Sequence, residues 1–285
     1  MNHQKKPDWF KVPPPWGENF SRTRKILNEY NLETVCKNAN CPNIGECFGS
    51  GTATFLIMGN VCTRNCRFCN IEGGRPITLD SDEPIKIARA VQLLKLSYAV
   101  VTSVTRDDLS DGGAGHFAQT IRSIRELNPD CSIEVLVPDF QGNLDSVKTV
   151  LDANPDVFNH NVETVPRLYP QMRPSADYER SLVVLRYAAS LRPDLPVKSG
   201  LMTGAGETVP ELHQVFADLN SAGVKILTIG QYLPPSRKHH PLDRYYSPEE
   251  FASLREAAMS KGIKKVISSP LARSSYHAKE VKSGL

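Results

Sequence analysis

From residue 54 onward, short apolar runs alternate with longer stretches in which apolar residues recur every three or four positions. The runs at 55–58, 98–101, 133–137, 157–161, 197–202 and 226–229 have the length and apolar character of buried strands. The stretches between them predict helices at 84–95, 115–127, 144–153, 177–191 and 209–222. Pro84 sits in the first turn of one, and Gly223 stops another. Ser247 and Glu250 form a capping pair that opens a further helix ending near Gly262. Val266 and Ile267 predict a last short strand. Six strand–helix units in succession argue for a parallel sheet covered by helices. A doubly wound open sheet shares this local pattern, so periodicity alone does not separate it from a barrel. Ahead of these units, residues 1–20 are polar and proline-rich and read as an extended arm. A short helix is expected at 21–30, with Ser21 as its cap.

The chain has 285 residues, enough for one large domain with extensions. Its net charge of +3 is too small to argue for nucleic acid as a partner. No apolar run approaches the ~20 residues of a membrane span. The first residues carry neither the apolar core of a signal peptide nor the Arg/Ser pattern of a transit peptide. A reducing, cytoplasmic setting is therefore expected, where seven cysteines serve better as ligands than as disulfides.

Six of those cysteines fall into two runs. Cys62, Cys66 and Cys69 have gaps of three and two residues, short enough for one loop to bring the sulfurs to one centre. Cys36, Cys41 and Cys47 have gaps of four and five, in a stretch kept irregular by proline and glycine. Soft thiolates so arranged suit an iron–sulfur cluster or a zinc ion. Three thiolates on a four-iron cubane leave one iron open to a small chelating molecule. Cys131 lies apart from both runs and reads as a core thiol.

In parallel strand–helix folds, sites form at the carboxyl ends of the strands. Here those ends carry Thr105, Arg106 and Asp107 after the second strand and Asp139 after the third. His160, Asn161 and Glu163 follow the fourth, Lys198 and Ser199 lie on the fifth, and Gln231 ends the sixth. Any one of these could merely satisfy loop backbone groups. Their recurrence along one edge suits a ribose, an adenine and an amino-acid moiety.

The spacing of Cys62, Cys66 and Cys69 resembles the signature of the radical S-adenosylmethionine (SAM) superfamily. Over residues 7–278 the sequence further resembles the lipoyl synthases. The first run, including Cys41-Pro-Asn-Ile-Gly-Glu-Cys47, and the segment Arg273-Ser-Ser-Tyr-His-Ala278 carry that resemblance. It implies a partial (β/α)6 TIM-like barrel of the radical SAM type. Residues 54–269 would form the barrel, 1–53 an N-terminal extension with the auxiliary-cluster loop, and 270–285 a C-terminal segment. It also implies a sulfurtransferase that adds two sulfur atoms, at C6 and C8, to an octanoyl chain already linked to a carrier lysine. Those carbons are unactivated, so the bond-breaking chemistry belongs to a cofactor.

In that family two [4Fe-4S] clusters and SAM are used. The resemblance assigns Cys62, Cys66 and Cys69 to the cluster that cleaves SAM. It assigns Cys36, Cys41 and Cys47 to an auxiliary cluster consumed as the sulfur donor. A serine completes the auxiliary set and matches Ser275, with Ser274 as the alternative. Many superfamily members hold the SAM amine with Gly-Gly-Glu after the second strand. This chain departs from that with Ser103-Val-Thr-Arg-Asp107, which leaves Thr105 and Asp107 as candidates. Asn161, Glu163, Ser199 and Gln231 are further candidates from strand-end position. Implied partners are octanoylated lipoyl domains of dehydrogenase E2 subunits or the glycine-cleavage H protein. An electron donor such as flavodoxin or ferredoxin and an iron–sulfur carrier that rebuilds the auxiliary cluster are implied as well. No nucleic-acid or membrane partner is expected. A biotin synthase-like enzyme is the competing reading, although such enzymes lack the first cysteine run. Methylthiotransferases carry an added RNA-binding domain. A non-catalytic iron–sulfur or zinc protein would not need the polar strand ends.

Overall fold

The computed structural model describes residues 5–276 other than Pro13. The N-terminal arm is not simply extended. A helical turn at Asp8–Phe10 buries Phe10 against the ring of Tyr245, with centroids 5.3 Å apart. Helix α1 (Glu18–Glu29) starts earlier than its sequence suggests. Gly17 adopts φ 113° and its carbonyl accepts from the Ser21 N–H, so Ser21 lies inside the first turn and caps nothing. Strand β1 (Glu33–Thr34), helix α2 (Val35–Asn38) and helix α3 (Ile44–Gly49) follow.

The remaining elements alternate. They are β2 (Thr54–Ile57), β3 (Val61–Cys62), β4 (Glu72–Gly73), α4 (Glu83–Leu93), β5 (Tyr98–Ser103), α5 (Ala114–Leu127) and β6 (Ser132–Leu136). Next come α6 (Leu144–Asp152), β7 (Val157–Asn159), α7 (Tyr169–Met172), α8 (Tyr178–Leu191) and β8 (Val197–Thr203). The last are α9 (Val209–Ser221), β9 (Ile226–Gln231), α10 (Pro248–Ser260) and β10 (Lys265–Ser269). Local chemistry sets the helix starts. Asn143 caps α6, while Thr208 with Glu211 and Ser247 with Glu250 form capping boxes on α9 and α10. Each helix then buries a stripe, as Leu212, Val215, Phe216 and Leu219 do on α9.

The sheet runs β1-β2-β5-β6-β7-β8-β9-β10. Every pair from β2 to β10 is parallel, and β1 joins the edge antiparallel to β2. Strictly sequential order is that of a singly wound barrel. A doubly wound sheet would reverse its strand order part-way. The two edge strands, β1 and β10, do not pair with each other among the described residues, so the barrel is partial.

Alternation along the strands separates two environments. Ala99, Val101, Ile133, Val135, Val197, Leu201, Leu227 and Ile229 belong to the large core under the helices. Their alternate neighbours include Thr102, Glu134, Asn159, Lys198, Gly200 and Gly230, which line the barrel interior. Tyr98 and Val100 form a small apolar cluster of their own beside them. The expected strand at 157–161 is shorter, because β7 ends at Asn159. The His160 N–H still bonds the Lys198 carbonyl, and Glu163 bridges to Leu201 with φ 66°.

Candidate active site

The loop of Cys62, Cys66 and Cys69 leaves the carboxyl end of β2 and is held on several sides. Strand β3 pairs with β4 and closes the loop at its base. The Arg67 N–H donates to the Met172 carbonyl at 2.8 Å, and the Arg67 carbonyl accepts from the His240 N–H at 2.7 Å. The Thr63 N–H and hydroxyl both donate to the Thr105 carbonyl at 3.0 Å. Cys62 Sγ accepts from the backbone N–H groups of Arg64 and Thr105 at 3.4 and 3.3 Å. Such donors favour a thiolate and its metal complex.

Arg64, between two of the cysteines, is the buried support of this loop. Its guanidinium donates to both Asp107 oxygens at 2.7 and 2.9 Å and to Asp139 Oδ1 at 2.7 Å. Burial would raise the Asp139 carboxyl, but the Arg64 hydrogen bond and charge outweigh that and bring it down to about 2. Burial, then the Cys66 and Cys62 charges, pushes the Cys69 thiol up to about 12. The charge of Glu163 acts on both Cys66 and Cys69, and that of Arg173 opposes it at Cys66.

The other run winds around α2 and α3. Thr34 caps α2 through the Lys37 N–H, and the Cys41 N–H bonds the Cys36 carbonyl at 3.1 Å. Burial, then the charges of Cys36 and Cys41, pushes Cys47 up to about 12, and burial pushes Cys36 to about 11. All seven cysteines are free thiols. Among the described residues no three ligating side chains gather tightly enough for a single ion. Within each run the thiols lie close enough for their charges to act on a neighbour, Cys41 on Cys36, Cys36 and Cys41 on Cys47, and Cys62 and Cys66 on Cys69. Crowded thiols of this kind fit a group that takes them as thiolates at separate corners, as an iron–sulfur cluster does. Cys131 is buried away from both runs.

The C-terminal segment reaches the first cysteine run directly. Asn43 Nδ2 donates to the Leu271 carbonyl, and the Tyr276 hydroxyl donates to Glu46, both at 2.8 Å. Asn161 Nδ2 donates to Ser274 Oγ at 2.8 Å. The Ser275 hydroxyl takes part in no hydrogen bond among the described residues. The Arg273 guanidinium is near enough to Cys41 and to Glu163 to feel both charges, which links the two cysteine regions. His277 and Ala278 of the same motif lie outside the described residues.

The remaining candidates divide by how their polar atoms are used. Both oxygens of Asp107 meet Arg64, and every polar side-chain atom of Gln231 is engaged. Its Nε2 donates to the carbonyls of Thr203, Tyr232 and Arg244, and its Oε1 accepts from the Tyr246 N–H. Glu163 accepts from Asn161 Nδ2 at 3.0 Å, and Ser199 Oγ accepts from the Val162 N–H at 3.4 Å. The Thr105 side chain makes no hydrogen bond among the described residues. Beside Asp107, a cavity of about 480 Å³ opens between the loops after β5 and β6, lined by Leu109, Gly112, Phe140 and Gln141. Arg64, Glu134 and Arg173 are buried charges that periodicity does not single out. Only the position of Arg64 inside the cysteine spacing hinted at it.

This geometry, a sequential partial barrel with a three-cysteine loop after its first parallel strand, defines a radical SAM protein. Residues 56–219 match the Radical SAM superfamily. Among solved structures, the [FeFe]-hydrogenase maturase HydG aligns over 92% of this chain and 70% of its own at 15% identity, with a TM-score of 0.60. Streptococcus suis SuiB bound to S-adenosylmethionine aligns over 89% of this chain and 56% of its own at 9% identity, with a TM-score of 0.58. At those identities the likeness is one of fold. Sequence relatives are far nearer. A lipoyl synthase of Roseiflexus sp. (strain RS-1) is 52% identical over 97% of this chain and 92% of its own. One from Caldicellulosiruptor saccharolyticus is 53% identical over 98% of each chain. The chain belongs to the lipoyl synthase family.

Proposed function

We propose that this chain inserts two sulfur atoms, at C6 and C8, into an octanoyl group amide-linked to a lysine of a lipoyl carrier. The observation that carries the reading is the contact between the first cysteine run and the Arg-Ser-Ser-Tyr segment, through Asn43–Leu271 and Glu46–Tyr276. A plain radical SAM barrel needs only the loop at Cys62. A second thiol set held against a serine-bearing segment supports a second cluster in this family's reading, from which sulfur would be drawn.

In this reading residues 54–269 are the barrel, 1–53 supply the auxiliary thiols, and 270–285 are the C-terminal segment, whose described part meets the first thiol set through Leu271 and Tyr276. Cys62, Cys66 and Cys69 hold the cluster that meets SAM, and Cys36, Cys41 and Cys47 hold the auxiliary [4Fe-4S] cluster. When bound, the first cluster and SAM supply a 5'-deoxyadenosyl radical, a reagent able to open an unactivated C–H bond. Ser275 is the fourth auxiliary ligand. Its hydroxyl makes no hydrogen bond among the described residues, whereas that of Ser274 is engaged by Asn161. As an alkoxide Ser275 would be a harder ligand than the three thiolates and would hold its iron less tightly. Thr105, Asn161, Glu163 and Ser199 remain the SAM contacts of this reading. Asp107 acts by fixing Arg64 beneath the cysteine loop, and Gln231 by tying the end of β9 to the loop before α10.

The carrier is a dehydrogenase E2 lipoyl domain or the glycine-cleavage H protein. A flavodoxin or ferredoxin supplies electrons, and an iron–sulfur carrier rebuilds the auxiliary cluster. No described helix is long and apolar enough to cross a membrane, and the reading places the chain in the cytoplasm. The test is mass spectrometry of an octanoyl-lysyl peptide after anaerobic incubation with reconstituted chain, SAM and a strong reductant. Two added sulfurs with release of 5'-deoxyadenosine are expected. Cys41→Ala should keep the deoxyadenosine and lose the sulfurs, and Cys66→Ala should lose both. Deoxyadenosine without sulfur insertion from the unmodified chain would overturn the substrate assignment.

A further inference from the structure

Inside the barrel lies an ion pair that neither cysteine run touches. The side chains of Lys198 on β8 and Glu134 on β6 are each 1% exposed. Lys198 Nζ donates to both Glu134 oxygens at 2.9 and 3.1 Å. A buried pair of this kind is weak evidence for stability, since apolar residues of like volume often serve as well. Its other bonds suggest a different use. Lys198 Nζ also donates to the main-chain carbonyl of Ser274 at 2.5 Å, 76 positions along the chain. Glu134 cannot swing away to follow, because the Tyr98 hydroxyl holds Oε2 at 2.7 Å and Asn159 Nδ2 holds Oε1 at 2.9 Å.

We infer that Lys198, braced by Glu134, is a positioning residue for the auxiliary site. It fixes the main chain at Ser274 and so sets how Ser275 is presented to Cys36, Cys41 and Cys47. This rests on the reading of Ser275 as a ligand given above. Three observations converge on the same short segment. Ser274 is held twice, by Lys198 at its carbonyl and by Asn161 at its hydroxyl, while the hydroxyl of its neighbour Ser275 has no hydrogen bond among the described residues. Gly200, two residues after Lys198 on the same strand, makes room for this, because a Cβ there would lie 2.8 Å from Ser274 Oγ and from Asn161 Oδ1. Gly230 on β9 does likewise for the Ala272 carbonyl, which a Cβ there would strike. The barrel interior is thus cut to receive main chain, and Lys198 supplies the polar anchor at the bottom of that seat. Without it the part-buried Ser274 carbonyl would lose this partner, and the segment would be held by fewer bonds.

The test uses Lys198→Met combined with Glu134→Gln, so that neither charge is stranded. It is read in a background with Cys62, Cys66 and Cys69 changed to alanine, where only the auxiliary cluster can form. A chelator should strip iron from that cluster about 10–100-fold faster than from the same background with Lys198 and Glu134 intact. In the chain with all cysteines present, the double variant should lose sulfur insertion while deoxyadenosine release falls by less than about twofold. Glu134→Gln alone, which keeps an acceptor for Lys198, should give a smaller change of the same sign. Unchanged chelation in folded double variant, or in Glu134→Gln should the double variant fail to fold, would overturn the inference. So would an equal loss of sulfur insertion and deoxyadenosine release, which would mark general loosening of the barrel. If the cysteine-to-alanine background binds no iron and sulfide even with Lys198 and Glu134 intact, the reading of an auxiliary cluster falls and takes the inference with it.

Discussion

The Tyr276 hydroxyl donates to the Glu46 carboxylate at 2.8 Å, across a sequence separation of 230 residues. Glu46 lies on α3, immediately before Cys47. One hydrogen bond therefore ties the end of the chain's first thiol set, at Cys47, to the segment that carries Ser274 and Ser275.

Removing that tie should loosen one site and spare the other. The bond is exposed, so Tyr276→Phe should cost only about 0.5–1.5 kcal/mol. That range corresponds to auxiliary iron being lost to a chelator about 2–12-fold faster. Glu46→Gln should act in the same direction, and the two changes should be less than additive in a double-mutant cycle. Release of 5'-deoxyadenosine should be unaffected, which a chromatographic assay would check.

Arg64 is the more costly residue to remove. Arg64→Met would leave Asp107 and Asp139 facing each other without their shared cation, and breaking such a buried set costs about 3–5 kcal/mol. Lysine at this position keeps the charge but not the fork that spans both carboxylates. Arg64→Lys should therefore fall between the two in denaturant midpoint, and both variants should lose deoxyadenosine release.

His160 gives the fold a dependence on pH. Its side chain is buried, with Nδ1 against the Val137 carbonyl at 2.8 Å and Nε2 unpartnered among the described residues. Burial and then the Arg173 charge lower its pKa to about 4, while Asp139 on the adjoining loop pulls the other way. The unfolded chain takes up this proton near pH 6.5, whereas the folded chain resists it down to about 4. The contribution is thus complete above about pH 6.5 and is lost as pH falls towards 4, which is about 2 kcal/mol between pH 7 and pH 5. His160→Gln should flatten that part of a stability–pH curve measured by denaturant unfolding.

Thr208 serves as the contrast. Its capping box with Glu211 sits at the exposed start of α9, far in function from either thiol set. Thr208→Ala should cost about 0.5–2 kcal/mol. Iron, sulfide and both products should be unchanged per folded chain.

What could be read from the sequence follows the reach of each interaction. Strands and helices announce themselves through neighbours a few residues apart, so α9, and α10 with its capping box, were legible almost to the residue. Helix α1 was misplaced at its start because the signal lay in the backbone of Gly17, not in Ser21. The choice between a barrel and a doubly wound sheet depends on strand order, which no local pattern encodes. The six clustered cysteines stood out by spacing. Asp107 and Gln231 were ligand-binding candidates from their strand-end positions, and nothing in the sequence showed the contacts they make with Arg64 and the loop before α10. Lys198 had equal standing as a strand-end residue. Its use is set by Glu134 and Ser274, 64 and 76 positions away.

The long span between Glu46 and Tyr276 also orders events during synthesis. The first thiol set emerges early, and the barrel can wind up strand by strand behind it, since each parallel pair joins neighbours in the chain. The lid over the first thiol set, by contrast, is made after every strand it rests on, and Asn43 and Glu46 must wait for Leu271 and Tyr276. The seat of the Cys62, Cys66 and Cys69 loop draws on Met172 and His240, so it is written into the chain ahead of the last contacts that the first thiol set receives.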